Sequence, residues 1–150
     1  MTTRLEAPRP ASTPNRAWVT LLFAGLVCGC SADSSPPVYP VEGKALFRGK
    51  PAVSAQVFLH AVDGKTPGNA RPTGFVGEDG VFRLSSFRAF DGAPPGSYRL
   101  SVVWLSDAVK EGGENTGPDR LKGRYRDASK NPWTVTVGPG TNTIETLELR

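Results

Sequence analysis

A period-two alternation of apolar and polar side chains recurs in short runs between residue 38 and the C-terminus, and it restricts the folds open to this chain. Such alternation predicts strands with one buried face, and the Gly- and Pro-rich stretches between the runs predict turns. The chain holds 17 Gly and 14 Pro in 150 residues, which favours turns over long helices. The longest run, "GSYRLSVVW", predicts a central core strand whose buried face carries Tyr98, Leu100, Val102 and Trp104.

Six further runs show the same alternation, at residues 41–48, 55–62, 73–76, 81–85, 133–137 and 143–149. Seven strands with turns about every 8 to 12 residues predict an all-β fold, a seven-stranded antiparallel β-sandwich. We expect "GEDG" to join the third and fourth strands in a hairpin, with positive φ angles at Asp79 and Gly80. In the last run Ile144 is out of phase with the leucines that follow, which predicts a bulge at Glu145 and Thr146.

The first 37 residues have a different composition. Residues 17–27 form an apolar run after a basic, Pro-bearing start, and eleven residues are too few for a stable membrane span, which takes about 20. The run therefore predicts the hydrophobic region of an export signal.

The sequence "VCGCS" at residues 27–31 resembles the lipobox of bacterial lipoproteins. The resemblance implies a signal peptide over residues 1–29, cleavage before Cys30, and a diacylglycerol on the Cys30 thiol. An anchor at Cys28 would place the bulky Val27 before the cut, so Cys30 is preferred, with ordinary secretion or a retained anchor as alternatives. Residues 30–37 would form the lipidated end and a tether, because "SADSSPP" is small, polar and stiffened by proline.

The resemblance to lipoproteins also bears on which membrane would hold the protein. An Asp directly after the lipidated Cys often retains such proteins in the inner membrane, and here that position is Ser31. The resemblance therefore implies a lipid-anchored cell-envelope protein, with the outer membrane favoured over the inner membrane. A Cys-x-Cys disulfide would be strained, and a metal site would lack ligands.

The charge of the chain argues against nucleic acid as a partner. The formal net charge is +4, but Arg4, Arg9 and Arg16 against Glu6 contribute part of it, and the rest of the chain carries only about +2.

The segment 38–150 resembles the carboxypeptidase regulatory-like modules of small bacterial lipoproteins. The resemblance is carried by "VEGKALFRGKP", by the D-G-x-F turn at residues 79–82, by the P-G-x-Y turn at residues 95–98 and by residues 125–137. It implies a transthyretin-like, or prealbumin-like, sandwich. The chain departs from the family pattern in an enlarged loop at residues 110–122 and in the odd register of the last strand. Between residues 105 and 127 we expect a long surface loop, with a short helical turn near residues 107–111.

The sequence offers no constellation for catalysis, so we expect no enzyme, no cofactor and no metal. Its one histidine, His60, falls within a strand run, whereas the hydrolase and the iron dioxygenases known for the implied fold need more. Glu78 and Asp79 fit a turn better than a calcium site.

Two surfaces remain as candidates for binding. If "DRLKGRYRD" is extended, four cations project from one side and could bind phosphate or carboxylate groups, although such a run is most often only a solvated face. These possible anion-binding residues are Arg120, Lys122, Arg124 and Arg126. An aromatic patch could comprise Phe58, Phe87, Phe90 and Trp104, although Phe and Trp in a small sandwich most often belong to the core.

The predicted function is therefore a lipid-anchored, non-catalytic module of the cell envelope. Its partners would be the membrane, through the lipid, and an envelope protein to which the module docks in a structural assembly. The alternative is a module that binds a glycan or an anionic polymer of the cell surface.

Overall fold

The computed structural model describes residues 35–106 and 117–150. The predicted signal peptide, Cys30 and the expected helical turn at residues 107–111 lie outside the described residues. Two 3₁₀ turns cover Pro67–Asn69 and Ala128–Lys130. The strands are β1 Val41–Phe47, β2 Lys50–Pro51, β3 Gln56–Ala61, β4 Thr73–Phe75, β5 Val81–Arg83, β6 Gly96–Val103, β7 Thr134–Val137, β8 Asn142–Thr143 and β9 Leu147–Leu149.

The strands form two sheets, which confirms the predicted all-β architecture. In the first sheet β1 is the hub: Glu42 pairs with Arg83 of β5 and with Thr143 of β8. Farther along β1, Phe47 pairs with Lys50 of β2 and with Leu149 of β9. The second sheet has the order β4-β3-β6-β7, so β6 is the central strand that its sequence predicts.

The prediction of seven antiparallel strands is wrong in two respects. The described residues form nine strands, because the chain folds back after Phe47 into the two-residue β2 and because the last run is divided into β8 and β9. Arg48 and Gly49, with φ angles of 53° and 77°, make the tight turn that pairs β2 with β1. In addition, β8 and β9 run parallel to β1.

The predicted bulge in the last run is confirmed by the register along β1. From Glu42 to Ala45 the chain advances three residues, whereas from Thr143 to Leu147, their partners, it advances four. One residue is therefore unpaired, and both Ile144 and Leu147 are buried although their spacing is odd.

The turn at residues 77–80 differs from the predicted hairpin. The Val81 amide donates to Asp79 Oδ1 at 2.9 Å, and Gly80 has a φ of 80°, but Asp79 does not have a positive φ. The runs on either side pair only through isolated bridges, because β4 joins β3 and β5 joins β1. The turn therefore links the two sheets.

The core lies between the sheets and contains the predicted inward face of β6. Phe82 and Leu147 from the first sheet and Leu100 and Tyr98 from the second are fully buried. The buried Tyr98 hydroxyl donates to the Pro94 carbonyl oxygen at 2.8 Å, so its one polar atom is satisfied.

Candidate functional site

The basic segment is not extended. Its backbone follows successive tight turns, in which the amides of Lys122, Arg124 and Arg126 donate to carbonyl oxygens three residues earlier at 2.9 to 3.2 Å. An extended backbone was the condition for placing the four cations on one side, and that condition is not met.

The structure gives the four predicted residues different surroundings. The Arg120 guanidinium lies over the Trp104 ring, 5.0 Å from its centroid, and Arg124 Nη1 donates to the Arg150 carbonyl oxygen at 3.3 Å. Arg126 Nη2 lies 4.0 Å from Asp119 Oδ2, whereas the Lys122 side chain is exposed. Arg120 reaches a depression that contains two other cations, Arg48 and Lys50.

Asp119 fixes this segment to the end of β6. Its Oδ1 accepts the amides of Trp104 at 3.2 Å and Leu121 at 3.0 Å, and its Oδ2 accepts the Gly123 amide at 2.9 Å. The carboxylate side chain is only 6% exposed. Because the Arg120 amide also donates to the Trp104 carbonyl oxygen at 2.7 Å, the backbone at Arg120 is held beside the indole ring.

We call the depression formed there the cationic pocket. Its volume is about 560 Å³. Three positive side chains line it, together with the rings of Phe47 and Trp104 and with small and apolar groups, and none of the lining residues within 35–106 and 117–150 is acidic. The lining residues are Phe47, Arg48, Lys50, Pro51, Val53, Ser54, Trp104 and Arg120.

The two rings of the cationic pocket support its two guanidinium groups. Arg48 lies over Phe47 with 5.1 Å between the guanidinium carbon and the ring centroid. Phe47 meets Trp104 edge to face at 5.5 Å, and the indole N–H donates to the Val53 carbonyl oxygen at 2.9 Å. Such stacking restricts the arginine side chains before any ligand arrives.

Trp104 does not offer an open stacking surface, since it is only 9% exposed and Arg120 covers part of it. The four aromatic residues considered as one patch are not brought together. Trp104 lines the cationic pocket, Phe58 lines a groove beside β3, and Phe87 lies against Pro36.

Arg48 and Lys50 are the pocket residues that the sequence analysis missed, because "RGKP" predicts a turn. The available signal was the composition of that turn, which places two cations directly after an aromatic residue at the end of a strand. The two-residue turn and the pairing of Phe47 with Lys50 hold both cations at the same end of β1.

His60 is on the outer surface of the second sheet. Its Nε2 lies 2.8 Å from the Ser101 hydroxyl oxygen, and Ser101 is only 3% exposed. Within residues 35–106 and 117–150, no hydrogen bond joins His60 to a carboxylate, and no group of three or more His, Cys, Asp or Glu could hold a metal ion. The contact satisfies a buried hydroxyl group.

Two titratable groups outside the cationic pocket have shifted pKa values. Burial, reinforced by the negative charge of Asp63, raises the pKa of Tyr98. The pKa of Asp127 is lowered because its carboxylate accepts hydrogen bonds from Ser129, with a further contribution from Lys130. Asp127 caps the 3₁₀ turn that follows the basic segment, so its shift belongs to local structure.

Comparisons with protein-family models, with curated proteins and with solved structures each found no match to this chain. The resemblance to carboxypeptidase regulatory-like modules therefore rests on the sequence motifs alone. Among the described residues, no helix has the length and apolar character needed to cross a membrane.

Proposed function

We propose that this chain is a lipid-anchored, non-catalytic protein of the cell envelope whose cationic pocket binds anionic groups of a surface polymer. The observation that carries the proposal is the grouping of Arg48 and Lys50 in one depression, with Arg120 beside them, where none of the described lining residues is acidic. Like charges gathered in this way create a positive potential that attracts carboxylate, phosphate or sulfate groups.

The support of the arginines by aromatic rings bears on affinity. A mobile arginine loses side-chain entropy when it binds, and that loss reduces the net gain from a charge-assisted hydrogen bond. Arg48 and Arg120 are already placed over rings, so less entropy is lost on binding. Because Trp104 is mostly covered, charge rather than sugar stacking is the basis for recognition.

The anchor and the fold are supported by the sequence. The lipobox-like residues 27–31 support acylation at Cys30, and Ser31 favours the outer membrane. The two-sheet all-β architecture, together with the motifs at residues 79–82 and 95–98, supports a transthyretin-like module. An anchor would also hold many copies at one surface, so that weak sites could bind a polymer by multivalency.

Docking to an envelope protein is the second candidate, and strand β7 favours it. Within the described residues β7 pairs with β6 alone, and the side chains of Thr134 and Thr136 are exposed. An edge of this kind can accept an extended segment of a partner as an added strand.

The polymer proposal is tested with the full chain, purified from native membranes in mild detergent. Binding to polygalacturonate is compared with binding to neutral dextran at low and high salt. The double variant Arg48→Gln/Lys50→Gln should bind polygalacturonate at least about tenfold more weakly, which corresponds to one lost charge-assisted contact.

The matched control is Lys65→Gln/Arg71→Gln, which removes the same amount of positive charge. Val53 and Ser54 of the cationic pocket precede β3, whereas Lys65 and Arg71 follow it. Equal losses in the two double variants would mean that net charge, and not the cationic pocket, attracts the polymer. Mass spectrometry of the N-terminal peptide tests the anchor, which requires an acylated Cys30. Recovery of one recurrent protein after crosslinking, with no polymer binding, would favour the docking function.

A further inference from the structure

The connection between β5 and β6 displays two phenylalanines to solvent. We call residues 85–92 the Phe loop. Phe90 is 67% exposed, the largest exposure among the large hydrophobic residues that the structure describes, and Phe87 is 38% exposed. Neither ring belongs to the core, and burial within the domain does not explain the presence of Phe90.

The Phe loop is braced by its own side chains. The Asp91 carboxylate accepts the amides of Ser86, Phe87 and Arg88 at 2.7, 3.0 and 2.8 Å. The Ser85 hydroxyl accepts the Phe90 amide at 2.8 Å. These hydrogen bonds hold the backbone of the Phe loop in one conformation. The loop therefore loses little backbone entropy when its rings bind another surface.

Phe90 also has an unfavourable backbone conformation, with a φ of 59°. A bulky side chain is a genuine outlier in this left-handed region, which Gly or Asn adopts more easily. A turn alone would be served better by either of those residues. The position therefore combines a strained backbone with an exposed ring, which points to a contact outside the domain.

The Phe loop lies where the chain arrives from its N-terminal segment. Phe87 and Asp91 share a depression with residues 35–38. A Cβ atom built on Gly68 would lie 2.8 Å from Pro36 Cδ and 3.1 Å from Phe87 Cζ, so the proline and the ring are close neighbours. The last residues of the predicted tether are thus packed against the domain.

The cationic pocket lies at the other end of the same strand. The start of β1 is next to the Phe loop, since Tyr39 pairs with Ala93, whereas Phe47 at the end of β1 lines the cationic pocket. The two surfaces are separated by the length of β1.

The length of chain before Ser35 limits how far the Phe loop can be from an anchor. Five residues lead from Cys30 to Ser35. Fully extended, they span at most about 18 Å. A lipid on Cys30 lies within the bilayer, so the Phe loop cannot move far from the membrane surface.

We propose that the Phe loop inserts Phe87 and Phe90 into the interfacial region of the bilayer. The domain is then seated with the cationic pocket directed away from the membrane. Aromatic side chains favour this region, and shallow insertion adds a second attachment to that of the lipid. This inference rests on the proposed lipid anchor at Cys30.

The test uses the mature full-length protein in vesicles of phosphatidylethanolamine and phosphatidylglycerol. An environment-sensitive dye is attached at Ala89→Cys, which leaves both rings of the Phe loop in place, and the control carries it at Val53→Cys beside the cationic pocket. The N-terminal peptide is identified by mass in each preparation. Acylation blocks the Cys30 thiol, so the dye labels only the introduced cysteine.

We expect the dye at position 89 to emit at shorter wavelength in vesicles and to be quenched by a lipid-borne quencher, whereas the dye at position 53 keeps its emission in water. The added change Phe87→Ser/Phe90→Ser should abolish the shift at position 89. An acylated protein whose dye at position 89 remains in water would overturn the insertion but leave the anchor standing.

Two other results would also overturn the proposal. An N-terminus without acylation removes the anchor, and the reach argument fails with it. Shielding of position 89 in native membranes but not in lipid vesicles would mean that a protein covers the Phe loop instead of lipid.

Discussion

Replacing Asp119 by Ala should both destabilise the fold and weaken the binding of anions in the cationic pocket. The carboxylate accepts three backbone amides and is almost fully buried. A hydrogen bond to a charged group contributes about 1.5 to 3 kcal/mol. The exposed Gly123 amide regains water, so we count the amides of Trp104 and Leu121 and expect a loss of about 3 to 6 kcal/mol in the free energy of unfolding.

Asp119→Asn is the matched variant, since it keeps one oxygen acceptor but turns an NH₂ group toward the Gly123 amide. We expect it to lose about 1 to 2 kcal/mol. The free energy of unfolding of both variants is measured by urea unfolding of the full chain in mild detergent, with tryptophan fluorescence as the signal. Binding of polygalacturonate should weaken more in Asp119→Ala, because Arg120 loses its fixed backbone. A loss below about 1 kcal/mol for both variants would refute the reasoning.

Three more predictions concern stability and use the same unfolding assay. Gly92→Ala should prevent stable folding, because Gly92 has a φ of 94° and an added Cβ would overlap the Tyr39 carbonyl oxygen. The control Gly138→Ala should be nearly neutral, because an added Cβ there would have no atom within 4 Å. Equal losses of stability in the two variants would contradict this prediction. Tyr98→Phe should cost about 1 kcal/mol below pH 10. Because the folded-state pKa of Tyr98 is raised, wild-type stability should fall as the pH rises above about 10, and a parallel decline in the variant would assign that fall to other groups. Phe90→Asn should leave stability unchanged or raise it by up to about 1 kcal/mol, and a clear loss would mean that the ring stabilises the domain.

The strands could be predicted from sequence because alternation is a local property. The buried face of β6 and the extra residue near Glu145 both follow from the spacing of apolar side chains along one segment. The parallel pairing of β9 with β1 could not be predicted in this way, since the choice of partner depends on contacts between the two ends of the domain.

The cationic pocket shows the same limit. Arg48 and Arg120 are far apart in sequence, and two separate turns bring them to one place. The prediction of a basic face assumed an extended backbone. Instead, the Asp119 carboxylate accepts hydrogen bonds from the Leu121 and Gly123 amides, and these bonds stabilise a turn. The effect of one acceptor on several donors is not visible in the charge pattern.

The parallel placement of β8 and β9 beside β1 has a consequence for the order of folding. The first sheet needs residues from both ends of the domain, so it cannot be completed while the C-terminal residues are still being synthesised. Closing so long a loop carries an entropic cost, and contacts of large sequence separation slow folding. The first sheet therefore forms only after β9 has been synthesised, whereas all four strands of the second sheet are present once β7 is complete.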